Sequence, residues 1–469
     1  MFTAMKLQNF KSWANTGELR LAPITGFFGA NSSGKSSLLH SFVLMKQTAQ
    51  SNDISSALNL SGHHSIIDFG NLSQVCHGNL LSNLGMMFTW DVPPLDAALA
   101  LLTSHSPPTT SDFNEAYSSI LLQDDVQFQF LMPALGGHAK SLRYQSGPGV
   151  IEYAETSGPT LPESHRYQLR MIADESSPPD EYMEHSYSEL PPPIKCYGFS
   201  SEARTATNAS SILRSLEHSF ELQFLQRLFY LGPLRQRAAR TYLWQQSAPF
   251  DVGSDGSLAI QALLAARDRG RINARQVPDD TSPAEPIAVD EHVAQWLREL
   301  GLAEVFEIRK LGDNDRYEAL IRATRAARPI SLTDVGFGVS QVLPVLVLLA
   351  YAPEGAVVLL EQPEMHLHPA SQSRLADILL EAAKVRKLQI LVESHSEHLL
   401  TRLQRRIAEG SASKDDMALY FCSHDGREST AIPLEVNDFG EIGNWPPEFF
   451  GDASGEAVAM VEARTYRAE

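Results

Sequence analysis

Cysteine is scarce in this chain of 469 residues: Cys76, Cys196 and Cys422 are far apart and odd in number. Their spacing provides neither a disulfide framework nor a metal-ligand cluster, and it fits a reducing compartment. Nowhere do about 18 apolar residues run together. The longest candidate, Val342 to Tyr351, is broken by Pro344, so no membrane span is expected. The N-terminus has no charged segment followed by an apolar stretch and a small-residue cleavage site, so a cytoplasmic location is expected. Basic residues are also in deficit, 38 Lys and Arg against 56 Asp and Glu, a net charge of −18. That balance argues against wholesale nucleic-acid binding through a basic surface, although Arg235, Arg237 and Arg240 form a local basic patch. The remainder is ordinary soluble composition, 43% hydrophobic and 20% charged. The length suits several domain-sized units, or one large domain carrying an insertion.

Residues 4–28 read as two strands, "MKLQNF" and "LRLAPITGFFG", joined by a turn at Asn15-Thr16-Gly17, and a helix is expected from about Lys35 to Gln47. Between roughly 85 and 175, period-two alternation predicts an antiparallel β insertion; Val126, Phe128 and Phe130 alternate there with Gln127 and Gln129. The proline-rich acidic stretch 174–193 lacks Lys and Arg and predicts a solvated loop or partner-facing arm. Apolar positions recur at helical spacing from Ser210 to Phe229, and further helices are expected at about 257–268 and 289–300. The last third alternates helix 337–350, strand 356–361, helix 370–385, strand 388–393, helix 396–409 and the strand "DMALYFCS". This rhythm predicts a mostly parallel sheet covered by helices.

"GANSSGKSS", Gly29 to Ser37, matches the G-x-x-x-x-G-K-[ST] phosphate loop between an apolar strand and a helix. Gly29 and Gly34 let backbone amides turn toward phosphate oxygens, Lys35 reaches the β/γ-phosphates of ATP, and Ser36 coordinates Mg²⁺. Such a loop needs a second strand ending in a carboxylate that holds the Mg²⁺ shell, which "VVLLEQPE" supplies as Glu361, far along the chain, as in a nucleotide-binding domain split by a long insertion. Gln362 stands where a general base is expected; a neutral amide cannot accept the proton of an attacking water, so turnover should be slow unless Glu364 or Glu393 takes over. Upstream, Gly338, Ser340 and Gln341 form a glycine turn opening a helix, suited to an anion. "ILVESHSEHLL" ends a strand at Glu393, followed by Ser394 and His395, where a polar side chain can touch the γ-phosphate or the attacking water. His366 and His368 are better explained by packing than by a metal.

In this order the motifs resemble those of ABC-type ATPases of the SMC, RecF and OLD group, over residues 1–50 and 330–410. The strand "EQPEMHLHP", the tail from Gly440 to Pro446 and "YLGPLR" at Tyr230 to Arg235 are similar to segments of standalone ATPases from bacterial anti-phage defence loci. The resemblance implies Walker A residues Gly29, Asn31, Gly34, Lys35, Ser36 and Ser37, a Walker B carboxylate at Glu361 and a switch histidine at His395. It further implies a degenerate signature at Gly338, Ser340 and Gln341 that completes the ATP site of a second subunit, in an ATP-sandwich dimer or higher oligomer. Gln74 is the candidate for the Q-loop. The stretch after Arg406 is too short for the Toprim nuclease domain of OLD proteins, so any effector would be a separate protein. The expected fold is α/β, an ABC-type nucleotide-binding domain with a mostly parallel sheet, N-terminal antiparallel strands and a mixed insertion. The expected division is 1–84, 85–325, 326–435 and a tail 436–469. The alternative function is a RecF-like DNA-repair ATPase acting on DNA; a nucleotide-binding regulator without turnover is a third.

Overall fold

Six short apolar runs scattered along the chain meet in one sheet. Its order is Leu228–Leu231, Val357–Glu361, Gln389–Ser394, Ile24–Gly29, Met417–His424 and Ser429–Pro433; all but the last run parallel. The computed structural model describes residues 1–62, 65–78, 82–91, 125–147, 149–156, 166–172, 184–207, 210–269, 271–273, 286–312, 315–446, 449, 458–460 and 463–464. The expected α/β class is the one observed. Strands Ile24–Gly29, Val357–Glu361 and Gln389–Ser394 are buried on both faces, which is why their sequences are continuous apolar runs rather than alternating ones. Val358, Leu360, Ile390 and Val392 face one core, with helices Ala259–Arg269, Val289–Glu299, Phe337–Tyr351, Pro369–Val385 and Glu397–Ala408. Val357, Leu359, Leu391 and Phe27 face a second core, shared with the phosphate-loop helix Lys35–Gln50 and a second sheet.

The second sheet is antiparallel, ordered Glu184–Leu190, Tyr167–Ile172, Gly149–Glu155, Ser141–Ser146, Val126–Pro133, Asn83–Trp90, Phe2–Phe10 and Trp13–Asn15, with Leu19–Arg20 paired to Phe2–Phe10. Val126, Phe128 and Phe130 point into the core as the alternation predicts. Gln389 ties the sheets together: its side-chain amide accepts from the Phe2 N–H at 2.7 Å and donates to the Phe2 carbonyl at 2.6 Å.

The fold differs from the expected elements in four places. The expected N-terminal pair of strands is four short strands, and the segment "LRLAPITGFFG" is divided between the two sheets, Leu19–Arg20 in one and Ile24–Gly29 in the other. Strand pairing also crosses the expected boundary at 85, since Asn83–Trp90 pairs with Phe2–Phe10, and Leu228–Leu231 from the expected insertion forms the edge of the central sheet. The helical periodicity from Ser210 to Phe229 is a helix only to Glu221; a π turn, Leu222–Gln226, and the edge strand follow. Lys46 of the phosphate-loop helix, fully buried, donates to the Leu225 and Leu228 carbonyls there, and its burial brings the ammonium pKa down to about 8. Of the acidic stretch, Glu184–Leu190 is a strand, and 174–183 lies outside the described residues. Among the described residues no helix is long and apolar enough to cross a membrane.

Candidate functional site

Strand register explains how distant motifs converge. Glu361 pairs with Glu393 across one parallel ladder, and Glu393 and Ser394 pair with Phe27 and Phe28 across the next, so the carboxylates, Ser394 and the phosphate loop share one edge of the sheet. There the loop from Asn31 to Ser37, together with Lys11, Ser12, Gln362, Glu393 and His395, encloses a cavity of about 310 Å³.

Two glycines shape the loop. Gly29 has φ +140° and lies so close to the Cys422 carbonyl that a Cβ would collide with it; Gly34 has φ +89°, and a Cβ would fall 2.5 Å from Ser12 Oγ and 2.6 Å from Ser429 Oγ. Trp13 Nε1 donates to the Gly34 carbonyl at 3.1 Å, holding the loop where the helix begins. Gly29→Ala therefore forces both strain at positive φ and displacement of the adjacent strand. It should lower stability by about 2–4 kcal/mol, read as a fall in urea midpoint at unchanged slope; an unaltered midpoint would mean that this backbone is not under the constraint described.

Lys35 curls back on the loop: its ammonium donates to the Ala30 carbonyl at 2.6 Å, the Gly29 carbonyl at 3.1 Å and Ser33 Oγ at 3.3 Å. Burial lowers its pKa, opposed by the charges of Glu393, Cys422 and Glu364. Ser36 and Glu393 line the cavity together, and the Glu393 carboxyl is pushed above the usual range by burial first and by the Glu361 charge second. Asn31 is exposed at the loop tip, and Ser37 N–H donates to the Gly34 carbonyl at 3.0 Å.

Glu361 does not line the cavity. Its Oε1 accepts from Tyr230 OH at 2.7 Å and meets His40 Nε2 at 2.8 Å, while Arg235 Nη2 donates to its backbone carbonyl at 2.8 Å. Gln362 does line the cavity; it sits at φ +45°, with its N–H donated to the Glu393 carbonyl at 2.8 Å. Glu364 is buried behind the site and accepts from Ser394 Oγ at 2.7 Å and the His395 N–H at 2.8 Å, so it anchors the strand end that presents His395. Burial pushes its carboxyl above the usual range. His395 borders the cavity; burial, and then the Lys35 charge, favour its neutral form.

Gly338, Ser340 and Gln341 do not reach this cavity. They lie in the opening turns of helix Phe337–Tyr351, where a Cβ on Gly338 would fall 2.8 Å from the His366 carbonyl, so the turn packs on the "EMHLHP" loop. Gln341 is buried within its own chain. His368 caps helix Pro369–Val385, and the His366 ring packs on Phe337. Gln74 does not line the cavity either: it forms a capping box with Asn71, its Oε1 accepting from the Asn71 N–H at 3.0 Å.

Lys11, Ser12 and His40 belong to none of the motifs, and Tyr230 belongs only to the "YLGPLR" segment, yet Lys11 and Ser12 line the cavity and His40 and Tyr230 meet Glu361. His40 was detectable, lying one helical turn beyond Ser36, on the same face. Lys11 sits in "NFKSW" at φ +51°, its ammonium 3.4 Å from His40 Nδ1, and nothing local in the sequence signals that it meets the phosphate loop.

Residues 322–401 match the family model described as "AAA domain, putative AbiEii toxin, Type IV TA system", and residues 413–460 match "Protein of unknown function (DUF3696)". The first match takes in Glu361, Gln362, Glu393 and His395 but not the phosphate loop. This part of the chain is thus similar to an AAA-type ATPase domain. No curated protein matches the chain. Among solved structures, the chain is similar to an SMC head bound to the C-terminal winged-helix domain of ScpA, at 11% identity and TM-score 0.47, covering 93% of this chain and 98% of that one. It is also similar to the SMC head domain from Thermotoga maritima, at 11% identity and TM-score 0.40, covering 93% and 99%. A third similar structure is an Smc head with an extended coiled coil bound to the C-terminal domain of ScpA, derived from Pyrococcus furiosus, at 11% identity and TM-score 0.43, covering 99% of each chain.

Proposed function

We propose that this chain is an ATP-binding, slowly hydrolysing ABC-type ATPase that acts as a sensor or scaffold for a separate effector protein in bacterial anti-phage defence. The observation that carries the ATPase reading is the gathering of the glycine-shaped loop, Lys35, Ser36, Gln362, Glu393 and His395 around one cavity at the C-terminal edge of a parallel sheet. The residues fit Mg²⁺-ATP: Gly29 and Gly34 hold the loop in a positive-φ curl that an added Cβ would disrupt, and a buried carboxylate oxygen of Glu393 has no hydrogen-bond partner among the described residues. In this reading the amides of the loop from Gly29 through Asn31 to Ser37 hold phosphate oxygens, Lys35 offsets their charge and Ser36 meets the metal. When bound, Mg²⁺ would neutralise charge developing on the transferred phosphoryl group. Gln362 orients water without taking its proton, and His395, neutral and held through its backbone N–H by Glu364, contacts the γ-phosphate side.

Gly338 and Ser340 have no place in their own chain's cavity, and we read their helix start as completing the site of a second subunit, with Phe337 55% exposed beside it. The protein should double in mass, or more, on adding ATP and Mg²⁺, measured by light scattering, with a slow ATPase rate that DNA does not change. A strictly monomeric protein under those conditions would remove the dimer, and DNA-stimulated turnover would favour the DNA-repair alternative.

A further inference from the structure

We propose that Glu393, and not Glu361, is the carboxylate that faces the divalent cation accompanying the nucleotide, acting together with Ser36. The inference rests on the ATPase reading and departs from the assignment that the sequence motif suggests.

Ser36 and His40 lie one turn apart on the same face of helix Lys35–Gln50. They face different carboxylates: Ser36 lines the cavity together with Glu393, whereas His40 Nε2 lies 2.8 Å from Glu361 Oε1. Strand Gln389–Ser394 stands between the phosphate-loop strand and the strand of Glu361, which makes Glu393 the nearer carboxylate to the loop. Glu361 is engaged elsewhere, with Tyr230 OH at 2.7 Å on the same oxygen as His40, and it does not border the cavity.

Glu393 borders the cavity, is only 3% exposed, and its Oε2 is buried without a hydrogen-bond partner among the described residues. A buried carboxylate oxygen left unpaired is costly, and native proteins keep one where a donor or cation is to meet it. The ammonium of Lys35, which also lines the cavity, is taken up by the Gly29 and Ala30 carbonyls and Ser33 Oγ. Glu364 also has an unpaired oxygen, Oε2, but lies outside the cavity lining, with its other oxygen committed to Ser394 and His395. Mg²⁺ favours one or two carboxylates plus substrate phosphates and retained waters, and Ser36 with Glu393 supplies the protein share of that set.

The test is the Mg²⁺ dependence of binding of a fluorescent ATP analogue to the full chain, with Mn²⁺ electron paramagnetic resonance as a direct readout of the metal. Glu393→Gln keeps size and hydrogen-bonding capacity while removing the charge. It should reduce the gain in nucleotide affinity on adding Mg²⁺ by about 10-fold or more, hold or raise affinity in EDTA because a negative charge beside the phosphates is removed, and alter the nucleotide-dependent Mn²⁺ spectrum. Glu361→Gln should keep the Mg²⁺ gain. An undiminished gain in Glu393→Gln, or its loss in Glu361→Gln instead, would overturn the proposal while leaving the ATPase reading standing. A wild type that binds no ATP analogue with or without Mg²⁺ would overturn both. Should Glu393→Gln fail to fold by thermal melting, Glu393→Asp, which retains the charge but withdraws it by a methylene, must weaken the Mg²⁺ gain, and an undiminished gain there overturns the proposal equally.

Discussion

Lys35→Ala should cost about 100-fold or more in ATP affinity, measured by titration calorimetry. A hydrogen bond from a charged donor contributes about 1.5–3 kcal/mol, and an ammonium placed between β- and γ-phosphates makes at least two, which at about 1.4 kcal/mol per decade gives that loss. The free protein adds a second reason for the effect. Lys35 braces the loop on the Gly29 and Ala30 carbonyls and on Ser33 Oγ, so its removal also releases the backbone curl that aims the amides. A matching melting temperature for the variant separates lost binding from lost folding. Unchanged nucleotide affinity would sink the phosphate-loop assignment.

Gln362→Glu should raise steady-state ATP hydrolysis by about 10²- to 10⁴-fold, the usual contribution of a positioned general base. Gln362 borders the cavity, its backbone is held by the N–H bond to the Glu393 carbonyl at 2.8 Å, and a Glu side chain of the same size would occupy the same place. The wild type then lingers in the ATP-bound state, which suits a switch whose signal is the assembled dimer. The comparison series is Glu361→Gln, Glu364→Gln and Glu393→Gln. Glu364 lies outside the cavity lining and holds the His395 backbone, so its variant should act by displacing His395 rather than by removing a base. A wild type that already turns over rapidly and is indifferent to Gln362→Glu would place the base elsewhere.

Elements whose cause is local could be read from the chain alone. Helix Lys35–Gln50 and the succession from Phe337 to His424 follow within a few residues of the expected limits, since each has its own apolar period and its own breaker. The loop glycines were legible for the same reason: positive φ at Gly29 and Gly34 is a local demand. What strands joined to which sheet was not legible. Period two says that Val126, Phe128 and Phe130 share a face, but not that their sheet continues into Phe2–Phe10, because pairing partners are chosen by non-local packing. The run from Ser210 to Phe229 had one periodicity and became helix, π turn and strand, because Leu228–Leu231 has an open edge to pair with beside Val357–Glu361. The acidic residues show the same divide. Position in a motif singled out Glu361, Glu364 and Glu393 alike, and only the tertiary structure assigned them different surroundings. Tyr230 and His40, brought in from other segments, meet Glu361; Ser394 and His395 hold one oxygen of Glu364 away from the cavity; and Glu393 alone of the three borders the cavity, with an oxygen that has no partner among the described residues. A carboxylate's chemistry is fixed by what meets its oxygens, and those partners come from parts of the chain that sequence spacing does not connect.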